Sequence, residues 1–181
     1  MASQVAPLHR FTVDDIIAMV EAGILDERDR VELVGGVLVQ MSPPGPRHAS
    51  VVEWLTAHLV KASDGAFRVR VQDTFLTADD GFVAPDLMVI EPIARDRLPD
   101  TALLVTEVSY SSRVRDAEKA AGYAAAGVQE YWIVDVDRDE LIVHRSPGDG
   151  AYTSIERFGP GDVVTPLVDA PAVDVAALLA R

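Results

Sequence analysis

The stretch from residue 102 to 136 constrains the fold of this chain most strongly. It contains an apolar strand over Ala102–Ser109, a helix over about 113–126, and a second apolar strand over Glu130–Val136. A strand–helix–strand unit of this kind crosses over right-handed and makes its two strands parallel. We therefore expect an α/β fold with a mixed central β-sheet flanked by helices.

The segments on either side of this unit add further helices and strands. Two β runs in Val31–Gln40 surround the pair Gly35-Gly36, which predicts a β-hairpin. The other predicted elements are helices over 12–21 and 48–62, strands over 67–77 and 83–90, and a C-terminal hairpin over 141–144 and 152–158.

Length and composition restrict the class of protein. At 181 residues, 49% of them hydrophobic, the chain can bury a core of its own. We expect one domain over 1–181, with an N-terminal helix and hairpin (11–41), a core (47–136) and a C-terminal hairpin and tail (140–181). The absence of cysteine excludes disulfides, Cys-ligated zinc and thiol nucleophiles. Without a signal peptide or a bilayer-spanning apolar run, we expect a cytoplasmic protein with no membrane partner.

Two predicted strands carry a carboxylate among apolar neighbours. Asp86 follows Pro85 at the start of an apolar run, and Glu107 lies inside the strand that ends at Ser109. An isolated ionised carboxylate is costly there, so each should be paired, protonated or bound to a cation. If the strands are neighbours, the two carboxylates meet, and the backbone carbonyl of Val108 can reach a metal ion between them. Such hard oxygen ligands suit Mg²⁺ or Mn²⁺ rather than zinc.

The Pro-Asp pair is weak evidence by itself. A second pair, Pro99-Asp100, lies in a charged loop, whereas Pro85-Asp86 leads into a strand of its own. For both strand acids a structural role stays open, such as a strand-end aspartate paired with an arginine.

The net charge of −13 opposes a role in nucleic-acid binding, because such proteins usually carry a basic surface. An acidic chain can still act on DNA if its basic residues gather on one face and a metal ion offsets the carboxylates of the site. The candidate basic residues are Arg68, Arg70, Arg113, Arg115 and Lys119.

Several motifs together resemble a known family. The dipeptide PD at 85–86, the tripeptide EVS at 107–109 and the run GVQEYWIVD at 127–135 resemble the Uma-type family of putative restriction endonucleases. This family is a branch of the PD-(D/E)XK nuclease superfamily, and the resemblance covers about residues 10–145. It implies a restriction-endonuclease-like fold, metal binding by the two strand acids, and phosphodiester hydrolysis in DNA. Analogy with relatives also suggests a homodimer.

The resemblance implies roles for three further side chains. Ser109 stands at the motif's lysine position, and in this branch a lysine on the following helix substitutes for it, here Lys119. Glu32 resembles the family's upstream acid, which completes the metal site or binds a ligating water. His48 resembles a residue that approaches the same pocket as a proton shuttle. The alternatives are a solvated lysine, a glutamate on the hairpin surface and a histidine at a helix start.

Two other functions stay open. The chain could be a nuclease-like binding or assembly module without catalysis, which the net charge of −13 and Ser109 both favour. It could also be a metal-dependent hydrolase of small phosphate compounds, which suits the acidic charge but has no supporting motif.

Overall fold

The computed structural model describes residues 8–26, 28–41, 43–77, 80–94, 96–109 and 113–180, with the backbone alone at 113–118. The helices of these residues are α1 (Val13–Glu21), α2 (Pro46–Ser63), α3 (Arg113–Ala125) and α4 (Val175–Leu178). The first strands are β1 (Val31–Val34), β2 (Val37–Gln40), β3 (Arg68–Val71), β4 (Phe75–Thr77), β5 (Gly81–Val83) and β6 (Leu87–Ile90). The later ones are β7 (Leu104–Ser109), β8 (Glu130–Asp135), β9 (Glu140–Gly148), β10 (Ala151–Phe158), β11 (Val163–Val164) and β12 (Val173–Asp174).

The central sheet has six strands in the order β10-β9-β8-β7-β6-β3. Strands β7 and β8 are parallel and are joined by α3, and the other neighbouring pairs are antiparallel. The sheet is therefore mixed, and the α/β class predicted from residues 102–136 is confirmed.

Alternating side chains of β6 reach opposite faces of this sheet, as the period of a strand requires. Leu87 and Val89 pack in a core that also contains α2 and the C-terminal segment. Met88 and Ile90 pack in a second core, which contains α3 and the strands of the smaller sheet. Because both faces are covered, β6, β7 and β8 are buried along their whole length.

The predicted N-terminal helix and hairpin are both present. Thr12 caps α1, since its hydroxyl accepts the N–H of Asp15 at 3.2 Å and its own N–H donates to the Asp15 carboxylate. In the hairpin turn, Gly35 and Gly36 have φ values of 53° and 76°, as a two-residue turn with two left-handed positions requires. A Cβ at Gly36 would lie 2.6 Å from Cβ of Arg10, so no larger residue fits there.

The prediction of continuous strands over 67–77 and 83–90 is wrong. Each is split between two sheets, because β3 and β6 belong to the central sheet while β4 and β5 extend the hairpin in the order β2-β1-β5-β4. The first predicted strand is interrupted at Gln72, whose φ of 48° is left-handed. The second is interrupted at Pro85, which has no N–H to donate to a strand ladder. Asp86 consequently lies at the junction of the two sheets.

The C-terminal hairpin of β9 and β10 is longer than predicted, and the tail forms the short pair β11–β12 before α4. None of the helices in the described parts of the chain is both long and apolar enough to cross a membrane.

Candidate active site

Asp86 and Glu107 come from neighbouring antiparallel strands. The register pairs Leu87 with Thr106, so one further step places Asp86 opposite Glu107. Both acids are buried, with 8% and 7% of their surface exposed. The backbone N–H of Val108 donates to Oδ2 of Asp86 at 2.8 Å, which fixes this carboxylate against β7.

The backbone carbonyl of Val108 is also directed toward Asp86. In an antiparallel ladder, one residue exchanges both its N–H and its C=O with the same neighbour, so the two groups point to the same side of the strand. Because the Val108 N–H is directed at Asp86, its carbonyl is directed to the same side of β7. The carboxylates of Asp86 and Glu107 and the carbonyl of Val108 therefore lie beside one another where β7 meets Asp86.

Lys119 of α3 joins two of the carboxylates. Its Nζ lies 3.0 Å from Oε1 of Glu107 and 2.9 Å from Oε1 of Glu32. Glu32, on β1, is only 5% exposed and also accepts the backbone N–H of Ala84 at 2.9 Å. Glu32 is thus a buried acid of the site, and the alternative of a glutamate on the hairpin surface is wrong.

Tyr123 lies one helical turn after Lys119 and donates its hydroxyl to the same Oε1 of Glu107 at 2.8 Å. Burial raises the pKa of Glu107 to about 7; the Lys119 ammonium opposes this, and the negative charges of Asp86 and Glu32 add to it. Burial alone would lower the pKa of Lys119, but Glu107 and Glu32 outweigh burial and raise it, so the lysine stays a cation. Burial and Glu107 together raise the pKa of Tyr123 far above its usual value, so its hydroxyl is a donor.

His48, in the first turn of α2, completes the group on the other side of Asp86. Its Nε2 lies 2.9 Å from Oδ1 of Asp86, and its side chain is 12% exposed. Its other ring nitrogen, Nδ1, is buried and has no hydrogen-bond partner among the described residues. Asp86 is therefore held by a histidine and a backbone amide, rather than by an arginine.

The charges of this cluster fit a divalent cation. Glu32, Asp86 and Glu107 supply three carboxylates, and Lys119 supplies one ammonium group. Within the described ranges, no three His, Asp or Glu side chains are arranged as a metal site. Mg²⁺ commonly uses only one or two carboxylates and keeps several waters, so Asp86 and Glu107 with the carbonyl of Val108 are a suitable donor set.

Other candidates from the sequence lie elsewhere or are already engaged. Arg68 donates to the carbonyl of Ile93 at 3.0 Å, and Arg70 pairs with Asp73 at 2.8 Å. The side chains of Arg113 and Arg115 lie outside the described residues. Tyr131 and Trp132 of β8 are fully buried, so neither is exposed for stacking with a base.

Sequence reasoning missed the role of Glu130. This residue of β8 is fully buried, and its carboxylate accepts Nε of Arg145 and the backbone N–H of Leu167, each at 2.8 Å. Glu130 therefore ties the C-terminal segment to the sheet. The available signal was an acid within an apolar strand, the same one that singled out Glu107.

A family model and a solved structure relate the chain to known proteins. A family model described as "Uma2: Putative restriction endonuclease" matches residues 17–177. A crystal structure described as a putative nuclease belonging to DUF820, from Anabaena variabilis, has a similar fold, with a TM-score of 0.79 and 16% identity. The alignment covers 96% of this chain and 98% of that one. No functionally curated protein matches. Since the family match spans most of its length, the chain belongs to the Uma2 family of putative restriction endonucleases.

Proposed function

We propose that this chain is a Mg²⁺- or Mn²⁺-dependent nuclease that hydrolyses phosphodiester bonds in DNA. The metal ligands are the carboxylates of Asp86 and Glu107 and the backbone carbonyl of Val108. The observation that carries the proposal is the meeting of two buried carboxylates from neighbouring strands, beside a lysine whose side chain is 11% exposed, in a chain of this family.

The donor set supports a hard divalent cation, because all three ligand atoms are oxygens. When bound, such an ion lowers the pKa of a coordinated water and polarises the phosphate. The carboxylates are already oriented for this purpose, since Asp86 is fixed by Val108 and Glu107 by Tyr123.

Lys119 provides positive charge beside the reacting phosphate. Its ammonium group has three donors, and Glu107 and Glu32 accept two of them at the distances given above. The third can hold the attacking water or stabilise negative charge as it develops on the phosphate oxygens. Glu32 keeps the lysine in this position, so its role is to orient rather than to react.

His48 provides a route for a proton. A neutral imidazole has one donor nitrogen and one acceptor nitrogen. If Nε2 donates to Asp86, at 2.9 Å, Nδ1 is the acceptor; because Nδ1 is buried in this structure, the ring must turn before Nδ1 takes a proton from the attacking water. This hydrogen bond also orients the Asp86 carboxylate.

The test is cleavage of plasmid DNA and short oligonucleotides in millimolar Mn²⁺ by the wild type, Asp86→Asn and Glu107→Gln. The proposal expects cleavage by the wild type and none by either variant. A matched control is Asp100→Asn, because Asp100 is the aspartate of the second proline–aspartate pair and is exposed. Equal cleavage by the wild type and both site variants contradicts the proposal, and so does a wild type that cleaves no nucleic acid.

The second candidate is a non-catalytic binding or assembly module. It is favoured by the net charge of −13, by Ser109 at the motif's lysine position, and by the engagement of Arg68 and Arg70 with other groups. Such a module has no need for a metal ion. Thermal stabilisation by Mn²⁺ separates the two readings, because a ligand that binds the folded state raises its stability by mass action.

We also propose that the protein acts as a homodimer, by analogy with relatives and because enzymes that act on duplexes often pair two active sites. Sedimentation velocity at micromolar concentration measures this directly. A dimer is the expected result, and a protein that stays monomeric contradicts it.

A further inference from the structure

A groove of about 550 Å³ adjoins the candidate active site. Its walls are one face of α2 and the end of β3, the edge strand of the central sheet. The volume falls within the roughly 300–1,000 Å³ of small-molecule sites. His48 lines this groove and also contacts Asp86, so the groove begins one side chain away from the proposed metal ligand.

The opposite wall is also connected to Asp86. Gln72, which follows β3, lines the groove, and its backbone N–H donates to the carbonyl of Asp86 at 3.3 Å. Its left-handed φ of 48° is a conformation that few residues with a side chain adopt. The groove and the acid are thus fixed to each other by two separate contacts.

The chemistry of the lining indicates what binds there. The walls are mostly apolar, with Val52, Ala57 and Val71 among the residues that form them. No lysine or arginine in the described part of the chain lines the groove, and Glu53 adds a carboxylate. A phosphate is therefore disfavoured, because its binding depends on cationic neutralisation. An uncharged group with apolar faces and a polar edge suits these walls.

We propose that this groove receives a nucleobase of the substrate next to the scissile phosphate, an inference that rests on the nuclease function proposed above. A nucleobase has two apolar faces and an edge of donors and acceptors. The Glu53 carboxylate can accept from an exocyclic amino group, and the Gln72 amide can both donate and accept.

This assignment narrows the substrate class. A base inside a duplex is stacked and paired, so it must be unpaired or extruded to enter a groove. The substrate is therefore a single strand, or a duplex with a locally unpaired base. The net charge of −13 agrees with this class, since an acidic protein gains little from the phosphates of an intact duplex.

The experiment measures kcat/KM in Mn²⁺ on a mixed-sequence single strand and on an oligonucleotide of the same backbone without bases. Ala57→Trp fills the groove from an exposed position of α2, so folding tolerates it; Ala49→Trp, also exposed and lining the groove, repeats the test. The control is Ala125→Trp at an exposed alanine of α3 outside the groove.

We expect the wild type to cleave the normal strand about tenfold faster than the base-free one. The groove variants should lose about this factor on the normal strand and nothing on the base-free strand, because the two changes remove the same contact. The control should match the wild type on both.

Three outcomes overturn the groove assignment. The first is equal cleavage of the normal strand by Ala57→Trp and the wild type. The second is a groove variant that loses kcat/KM equally on the normal strand and on the base-free strand. The third is a groove variant whose sedimentation coefficient differs from that of the wild type while its cleavage does not. This result would make the groove a contact between copies of the chain. A wild type that cleaves neither strand nor duplex overturns the proposed function itself, and the groove assignment with it.

Discussion

The ammonium nitrogen of Lys119 lies 3.0 Å from Oε1 of Glu107 and links α3 to β7 inside the site. The same nitrogen holds Glu32. Lys119→Met therefore leaves two buried carboxylates without their cation, which should lower the free energy of unfolding by about 3 kcal/mol. Urea denaturation measures this change. Lys61→Met, at an exposed lysine of α2, is the control. A Lys119→Met protein as stable as the wild type would show that the ammonium adds no net stability.

His48→Ala should separate catalysis from metal binding. The imidazole contacts Asp86 but is not a proposed metal ligand, so the variant should keep its thermal stabilisation by Mn²⁺. Cleavage should fall about a hundredfold, as expected for loss of a general base. His58→Ala is the control on the same helix, because His58 contacts Trp54 and Pro171 rather than the site. Cleavage at the wild-type rate by His48→Ala contradicts the proton-transfer role.

Stability above pH 10 should depend on Tyr152. Its hydroxyl donates to the carbonyl of Val128 at 2.9 Å, and burial raises the pKa of Tyr152 above its usual value of 10. Above pH 10 the unfolded chain loses this proton and the folded chain keeps it. The unfolded state then binds fewer protons, so the free energy of unfolding falls as pH rises.

Tyr152→Phe removes this contribution, and its unfolding free energy should fall less steeply above pH 10 than that of the wild type. The slope of unfolding free energy against pH that remains in the variant is due to Tyr123, whose pKa is also raised. Near pH 7 the variant should lose about 1 kcal/mol with its hydrogen bond. Urea denaturation at several pH values measures both effects. Identical slopes for the variant and the wild type would contradict the assignment to Tyr152.

Glu130→Ala tests the other buried acid of the central strands. It should lower the free energy of unfolding by about 3 kcal/mol, because Arg145 and the N–H of Leu167 lose their acceptor. The proposed metal ligands lie elsewhere, so the stabilisation by Mn²⁺ should persist. Differential scanning fluorimetry with and without Mn²⁺ measures both quantities. Loss of the Mn²⁺ effect would indicate that Glu130 also supports the site.

The parts of the fold that follow from local patterns could be predicted from the sequence. The unit β7–α3–β8 has an apolar run of strand length, then a helical pattern, and then a glycine at which the helical pattern ends. The hairpin follows from Gly35-Gly36. Gln72-Asp73-Thr74 and Pro85 do interrupt the runs 67–77 and 83–90, but the sequence does not show that the two halves of each run join different sheets. These breaks depend on pairing with β1 of the hairpin, which is far away in the sequence.

The candidate site shows the same limit. The nearness of Asp86 and Glu107 could be anticipated, because each interrupts an apolar strand and their strands are close in sequence. The hydrogen bond from Tyr123 to Glu107 could not, since Tyr123 has the spacing of an ordinary core residue. Nor does a strand acid reveal its partner. Glu107 has a lysine and a tyrosine, whereas Glu130 has an arginine and a backbone amide.

The most direct test of the account is the melting temperature of the wild type and of Asp86→Asn/Glu107→Gln, each with and without millimolar Mn²⁺. We predict that Mn²⁺ raises the melting temperature of the wild type and of the Asp100→Asn control, and leaves that of the double variant unchanged. A wild type that Mn²⁺ does not stabilise, or a double variant stabilised equally, would contradict the assignment of Asp86 and Glu107 as metal ligands.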